Sequence, residues 1–187
     1  MNSNKTVAII PAAGFGVRMG AAAPKQYLEL AGRPLLALTL EAFNSCEIID
    51  SIILVVPASY IEYCEKEIVK KYDFQKVEKI AAGGEKRQDS VRLGLEASQC
   101  EFKTVVVHDG VRPFVTKELI IKAFEAAKAS RAVITGIPAI DTVKKVDEND
   151  LVLKTYERRL LWLVQTPQVF RYEDLYKAHQ MAAAEDI

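Results

Sequence analysis

The chain has 187 residues, of which 50% are hydrophobic and 27% charged, and its basic and acidic side chains balance to a formal net charge of +0. This length and composition predict one globular domain and exclude a disordered chain. The charge balance excludes a basic surface for a long nucleic acid, and the 3 cysteines form no CxxC pair that would suggest a zinc site. No apolar run approaches membrane-spanning length, so we expect a cytoplasmic protein without a nucleic-acid or membrane partner.

Short β-branched runs alternate with amphipathic segments along the first two thirds of the chain. In chain order, we predict strands at 6–11, 51–57, 77–81, 104–108 and 133–138, which alternate with helices at 34–44, 59–71, 89–98 and 116–130. Ser59 and Glu62 are predicted to form a capping box, and Thr116 is predicted to cap its helix. The alternation is typical of a parallel sheet with helices on both faces.

The period changes after residue 138. The runs VKKV, DEND and LVLKTY predict a hairpin around a polar turn, followed by a strand in WLVQTPQVF and a helix at 172–185. We therefore predict an α/β fold in which helices sandwich a Rossmann-like, mostly parallel sheet, with an inserted β-arm at about 139–160. The whole of 1–187 is predicted to be a single domain.

The segment IIPAAGFGVRMGAAAPKQY joins the first predicted strand to a glycine loop that contains Gly14 and Gly16. Glycines let backbone N–H groups approach phosphate oxygens, while Arg18 offers a planar fork and Lys25 a point charge. Together they predict a triphosphate site. The distance from Gly16 to Gly20 does not fit a dinucleotide fingerprint and GK[ST] is absent, so a tight turn with surface cations is the remaining alternative.

The run VVVHDGVRP places polar side chains just after a buried strand, where open α/β sheets bind ligands. Asp109 is a candidate ligand for Mg²⁺, which bridges carboxylates to nucleotide phosphates. The alternative is that Asp109 caps the turn or pairs with Arg112. A histidine that ends a strand, as His108 does, is often only packed.

The polar loop GGEKRQDSV follows another predicted strand. Backbone groups at Gly83 and Gly84 and the hydroxyl of Ser90 offer directional hydrogen bonds to a base or ribose. A helix N-terminus that contains Asp89 and Ser90 is equally common without a ligand.

Two segments around the predicted arm, AIDTVKK and YERRLLWLVQTPQ, contain cations and hydroxyls that suggest an anion site. These residues are Asp141, Thr142, Lys144, Arg158, Arg159 and Thr166. An exposed face with salt bridges has the same composition and is the alternative.

Several of these motifs carry a family resemblance. AAGFGVRM and PKQYLELAGRPLL resemble nucleotidyltransferases that activate sugars and alditols, and PKQY narrows the resemblance to cytidylyltransferases. With RQDSV, DTVKK and TPQ, nearly the whole chain resembles the 2-C-methyl-D-erythritol 4-phosphate cytidylyltransferase family. The ribitol 5-phosphate cytidylyltransferases share HD-VRPF and TPQ and are the nearest alternative. The resemblance implies a fold of the nucleotide-diphospho-sugar transferase type.

The resemblance also implies a reaction in which CMP is transferred from CTP to a phosphorylated small polyol, with release of pyrophosphate, in the non-mevalonate isoprenoid pathway. Arg18 and Lys25 are the implied catalytic residues. The implied nucleotide-binding residues are Ala12, Ala13, Gly14, Gly16, Gly84, Glu85, Arg87 and Ser90. The implied residues for the polyol phosphate are Asp109, Arg112, Thr142, Arg158 and Thr166, and Asp109 would also hold Mg²⁺ or another divalent cation.

The family further implies a homodimer in which the arm crosses to a second subunit. Its members continue for a few dozen residues past the position that matches Ile187, including a strand with a lysine in an NIKVT-like motif. We therefore expect the C-terminal part of the family domain to be missing. A noncatalytic module that binds nucleotide or forms dimers is the alternative to an enzyme.

Overall fold

The computed structural model describes residues 4–14, 24–99 and 102–185. Its strands are β1 (Thr6–Pro11), β2 (Glu29–Leu30), β3 (Arg33–Pro34), β4 (Ser51–Val56), β5 (Val77–Ala82), β6 (Thr104–Val107), β7 (Ala132–Pro138), β8 (Lys144–Val146), β9 (Val152–Thr155) and β10 (Trp162–Arg171). Its α-helices are α1 (Leu35–Asn44), α2 (Ile61–Tyr63), α3 (Arg87–Ala97), α4 (Lys117–Ala127) and α5 (Tyr172–Ala184).

The described part of the main sheet has 6 strands in the order β5-β4-β1-β6-β10-β7. Strands β5, β4, β1 and β6 pair in parallel, and β10 lies antiparallel to both β6 and β7. The prediction of a mostly parallel α/β sheet is therefore confirmed. Ile9 of β1 lies between Ile53 and Val107, so the centre of the sheet is made of buried β-branched residues.

Side chains that alternate along the strands form a core on each face of the sheet. Ile10 and Leu54 belong to the core that includes residues of α1 and α4. Ile9, Val55 and Val107 belong to the core that includes residues of α3 and α5. Because both faces are covered, the carboxyl ends of β1 and β6 are the accessible part of the central strands.

The structure corrects the predicted start of the second helix, where the capping box of Ser59 and Glu62 is wrong. A 3-10 turn at Ala58–Tyr60 already includes Ser59, and no side chain caps this turn or α2. An N-cap residue must lie before the first helical turn, whereas Ser59 lies inside that turn, two residues after Pro57. The chain continues from α2 into a π-helical segment, Cys64–Lys70, and Glu62 pairs with Lys66 at 2.7 Å.

Other helix starts differ by one or two residues. Helix α3 begins at Arg87 rather than at Asp89, whose carboxylate accepts a hydrogen bond from the Lys86 N–H at 3.0 Å. Helix α1 begins after Pro34, which belongs to β3. The Thr116 cap of α4 is confirmed, since its hydroxyl accepts from the Leu119 N–H at 3.3 Å.

Strands β8 and β9 pair in antiparallel fashion and form the predicted arm. The Asp147 carboxylate organises its turn by accepting hydrogen bonds from the N–H groups of Asn149 and Leu151, both at 2.9 Å. Large apolar side chains of the arm are exposed, namely Val146, Leu151, Val152 and Leu153. Within the described segments, no helix combines the length and apolar character that a membrane span requires.

Candidate functional site

A cavity of about 570 Å³ opens at the carboxyl ends of β1 and β6. Most of the predicted site residues line it: Ala12, Ala13, Gly14, Lys25, Gly84, Glu85, Arg87, Ser90, Asp109 and Arg112. They come from segments that the sequence separates by many residues. The parallel order of β4, β1 and β6 brings these segments together, because parallel strands end at the same edge of a sheet.

Other predicted site residues have different positions. Gly16 and Arg18 lie outside the described residues. Thr142 and Arg158 are exposed beside the arm and do not line the cavity, and the Arg158 guanidinium donates to the Ile140 carbonyl at 2.9 Å. Thr166 is buried in β10, behind Asp109.

Lys25 reaches the cavity from a 3-10 turn, Lys25–Tyr27, that is fastened on two sides. The side-chain amide of Gln26, which is buried, donates to the Ala12 carbonyl at 2.7 Å and so ties the turn to the end of β1. The Tyr27 ring stacks on Tyr60 with 4.7 Å between centroids, and burial raises the pKa of the Tyr27 phenol. Sequence reasoning missed Gln26, although it stands within the PKQY motif.

The loop between β5 and α3 begins with two glycines, which let it come close to Ala13 at the start of the glycine loop. A Cβ atom on Gly83 would lie 2.3 Å from the Ala13 Cβ, and one on Gly84 would lie 2.3 Å from the Asp89 Cβ. The Ser90 hydroxyl oxygen accepts from the Gly84 N–H at 3.2 Å. Ser90 therefore lines the cavity and also holds the loop that forms its wall.

Asp109 organises two guanidinium groups at the cavity. One carboxylate oxygen accepts from Arg87 Nε at 2.8 Å, and the other accepts from Arg112 Nε at 2.9 Å. Burial raises the pKa of Asp109, but the hydrogen bond from Arg112 and the positive charge of Arg87 outweigh burial and hold the pKa below its ordinary value. Asp109 is therefore ionised at neutral pH, and the pairing with Arg112, which the sequence left as the alternative to a metal site, is present.

His108 lies directly behind this ion network with a side chain only 1% exposed. Its Nδ1 is 2.9 Å from the Thr166 Oγ1, and its Nε2 is 3.2 Å from the Arg112 carbonyl oxygen. Burial lowers the pKa of His108 to about 4. The Asp109 N–H also donates to the Thr166 Oγ1 at 3.4 Å, and the Thr166–Pro167 peptide is cis.

Asp109 is the side chain at the cavity that the sequence proposed as a ligand for Mg²⁺. No cluster of three or more His, Cys, Asp or Glu side chains suited to a metal occurs in segments 4–14, 24–99 and 102–185. Both carboxylate oxygens of Asp109 accept from arginines. Because Mg²⁺ commonly binds one carboxylate together with substrate phosphates, an ion at Asp109 would compete with one of these arginines for a carboxylate oxygen.

Comparison with known proteins gives consistent results. The family model for 2-C-methyl-D-erythritol 4-phosphate cytidylyltransferase matches residues 6–187. The chain is 46% identical over 181 residues to the enzyme of that name from Geobacter metallireducens, and the alignment covers 95% of this chain and 78% of the relative. It is 47% identical over 180 residues to the enzyme of the same name from Alkaliphilus metalliredigens, and this alignment covers 96% of this chain and 75% of the relative.

A solved structure shows the same fold. The 4-diphosphocytidyl-2C-methyl-D-erythritol synthase from Anaerococcus prevotii superposes with a TM-score of 0.83 at 36% sequence identity. The superposition covers 97% of this chain and 76% of the other chain.

Proposed function

Because the chain belongs to the 2-C-methyl-D-erythritol 4-phosphate cytidylyltransferase family, we propose that the cavity beside β1 and β6 is its catalytic site. The protein is a nucleotidyltransferase of isoprenoid biosynthesis that transfers CMP from CTP to 2-C-methyl-D-erythritol 4-phosphate. A phosphate oxygen of this polyol phosphate attacks the α-phosphorus of CTP. The bond between the α- and β-phosphates breaks, and pyrophosphate leaves.

The nucleotide occupies the side of the cavity formed by the end of β1 and by the loop between β5 and α3. The backbone of Ala12, Ala13 and Gly14 faces the triphosphate, together with the charge of Lys25. Gly84 and Arg87 border the position of the cytidine. The support for this placement is that one cavity holds both the cations that a triphosphate needs and a wall of directional backbone groups.

The polyol phosphate lies nearer to β6 and β10. Arg112 presents a guanidinium group that can bind a phosphate through two oxygens, and Asp109 holds that group in place. We assign Thr142 and Arg158 to the same substrate, but from the arm of a second subunit, because neither lines the cavity of its own chain. The exposed apolar side chains of the arm support a homodimer formed through this element.

The mechanism needs no covalent enzyme intermediate. Lys25, with Arg18, stabilises the negative charge that develops on the α-phosphate and on the leaving pyrophosphate. Asp109 and the phosphates would hold Mg²⁺, which would supply further positive charge at the α-phosphate and the leaving pyrophosphate. Buried and free Cys46 and Cys64 fit the reducing cytoplasm, where we place the enzyme.

The observation that carries this proposal is the single cavity that gathers Lys25, Arg87, Asp109 and Arg112 in a chain of this family. The test is pyrophosphate release from the purified protein with CTP, Mg²⁺ and either 2-C-methyl-D-erythritol 4-phosphate or ribitol 5-phosphate. We expect turnover with the first polyol phosphate only. Turnover with ribitol 5-phosphate would contradict the assigned substrate, and CTP binding without pyrophosphate release would identify a noncatalytic module.

A further inference from the structure

We propose that His108, as the Nε2–H tautomer, is a positioning residue that makes the Thr166 hydroxyl oxygen a hydrogen-bond acceptor behind the catalytic cavity. The proposal rests on the proposed function, because it assigns a task to a residue of the same site. His108 does not line the cavity, so it would act on a substrate only through its neighbours.

The tautomer follows from the two partners of the ring. A backbone carbonyl can only accept, so the contact from Nε2 to the Arg112 carbonyl oxygen at 3.2 Å requires a proton on Nε2. Among the described residues, the Thr166 hydroxyl contacts His108 Nδ1 and the Asp109 N–H, so an unprotonated Nδ1 is the acceptor available to its proton. A neutral ring with Nε2–H leaves Nδ1 without a proton. Nδ1 must therefore accept from the Thr166 hydroxyl at 2.9 Å.

This direction of donation determines what Thr166 can do. The only proton of the hydroxyl is committed to His108, and one lone pair accepts from the Asp109 N–H at 3.4 Å. The remaining lone pair can accept from a hydroxyl group but cannot bind a phosphate oxygen, which also needs a donor. Thr166 is 8% exposed and bonds to the backbone of Asp109, which lines the cavity, so the proposal places a substrate hydroxyl beside Asp109. We therefore assign Thr166 to a free hydroxyl of the polyol rather than to its phosphate.

The same ring joins three segments of the chain. His108 follows β6, its Nε2 holds the turn at Arg112, and its Nδ1 holds Thr166 of β10. Asp109 lies between these two attachment points and is bonded to both Arg87 and Arg112.

Two substitutions separate the tasks of the two ring nitrogens. In His108→Asn, the amide oxygen can occupy the position of Nδ1 and accept from Thr166. In His108→Gln, the amide nitrogen can reach the Arg112 carbonyl in place of Nε2, but the Thr166 hydroxyl loses its acceptor. We expect H108Q to raise the KM for the polyol phosphate by roughly tenfold, the effect of losing one hydrogen bond to the substrate. The KM of H108N for the polyol phosphate should stay close to the wild-type value. The KM for CTP should change less than about threefold in both variants.

The kinetic result overturns the proposal if H108N is impaired as strongly as H108Q, or if both KM values rise together. A purely structural role would give either of those patterns. Because H108Q could fail to fold, a second measurement uses the intact protein.

Nitrogen-15 NMR of the histidine rings distinguishes protonated from unprotonated ring nitrogens directly. The chain has only 2 histidines, so a His179→Gln variant assigns the signals. We expect His108 to carry its proton on Nε2 and none on Nδ1. A proton on Nδ1 would overturn the proposal. This measurement needs no turnover, so it tests the tautomer even if the proposed function fails.

Discussion

At the residue scale, the charge of Lys25 is the most direct test of the catalytic site. Gln26 fixes the turn that carries Lys25, so the backbone of Lys25 is held at the cavity before the substrate binds. We expect Lys25→Ala to lower kcat by roughly 10²–10³, the effect of removing one preorganised charge-stabilising group. Steady-state pyrophosphate release measures this loss.

The matched control is Lys66→Ala, because Lys66 is exposed, pairs with Glu62 and does not line the cavity. Its kcat should equal that of the wild type. A decrease below tenfold for Lys25→Ala would argue against its role in the transition state.

The buried ring of His108 also predicts how stability depends on pH. Its pKa is lowered by burial from 6.5 to about 4, so between these values the unfolded chain binds a proton that the native protein does not. The free energy of unfolding therefore decreases as the pH falls, by up to about 1.4 kcal/mol per pH unit from this group. We expect His108→Asn to lack this contribution. Urea unfolding at several pH values measures the slope for both proteins.

The pKa values of Asp109 and His179 are also lowered, that of His179 by burial. Both groups therefore also reduce the free energy of unfolding as the pH falls. Both groups remain in the variant, so the difference between the two slopes isolates His108. Equal slopes would mean that His108 is already protonated in the native protein.

At the scale of elements, the two predicted helix caps behave differently. Thr116 caps α4 through its hydroxyl, whereas Ser59 lies inside a 3-10 turn and caps nothing. We expect Thr116→Ala to lower the free energy of unfolding by about 1 kcal/mol, the usual effect of losing a cap. Ser59→Ala should change it by less than about 0.5 kcal/mol. Denaturant unfolding of both variants makes the comparison, and equal losses would contradict the assignment of the cap.

The elements also explain what could be predicted from the sequence. Apolar runs in β1, β4 and β6 predicted buried parallel strands because burial on both faces needs such runs. The π-helical segment Cys64–Lys70 could not be predicted, because its hydrogen-bond pattern departs from an ordinary helix while Cys64 and Ile68 pack into the core. Local patterns do not specify such a departure.

The candidate site follows the same logic. Local motifs predict Lys25 and Asp109, the family resemblance implies Arg87, and the strand order brings the three together. The contact of His108 with Thr166 spans 58 residues and depends on β10 lying beside β6. No local pattern predicts which strand will lie there.

At the scale of the whole molecule, the proposed dimer depends on the apolar arm. Leu153 on the arm is 59% exposed, and Met181 on α5 is 64% exposed. We expect Leu153→Lys to weaken dimerisation by about tenfold or more, because it places a charge in the apolar contact. Met181→Lys, at similar exposure, should leave it unchanged. Light scattering over a range of protein concentrations measures the association, and a monomeric wild type or equal effects of both variants would contradict the proposal.

The position of β10 in the sheet has a consequence for synthesis on the ribosome. Strands β1, β4, β5 and β6 can pair with one another as soon as residue 107 has emerged. The β7 strand pairs within the described sheet only with β10, which follows it by more than twenty residues. During that interval, β7 exposes an uncharged segment, AVITGIP, whose backbone groups have no strand partner in the sheet. The nascent chain is therefore most exposed to aggregation between the synthesis of β7 and that of β10.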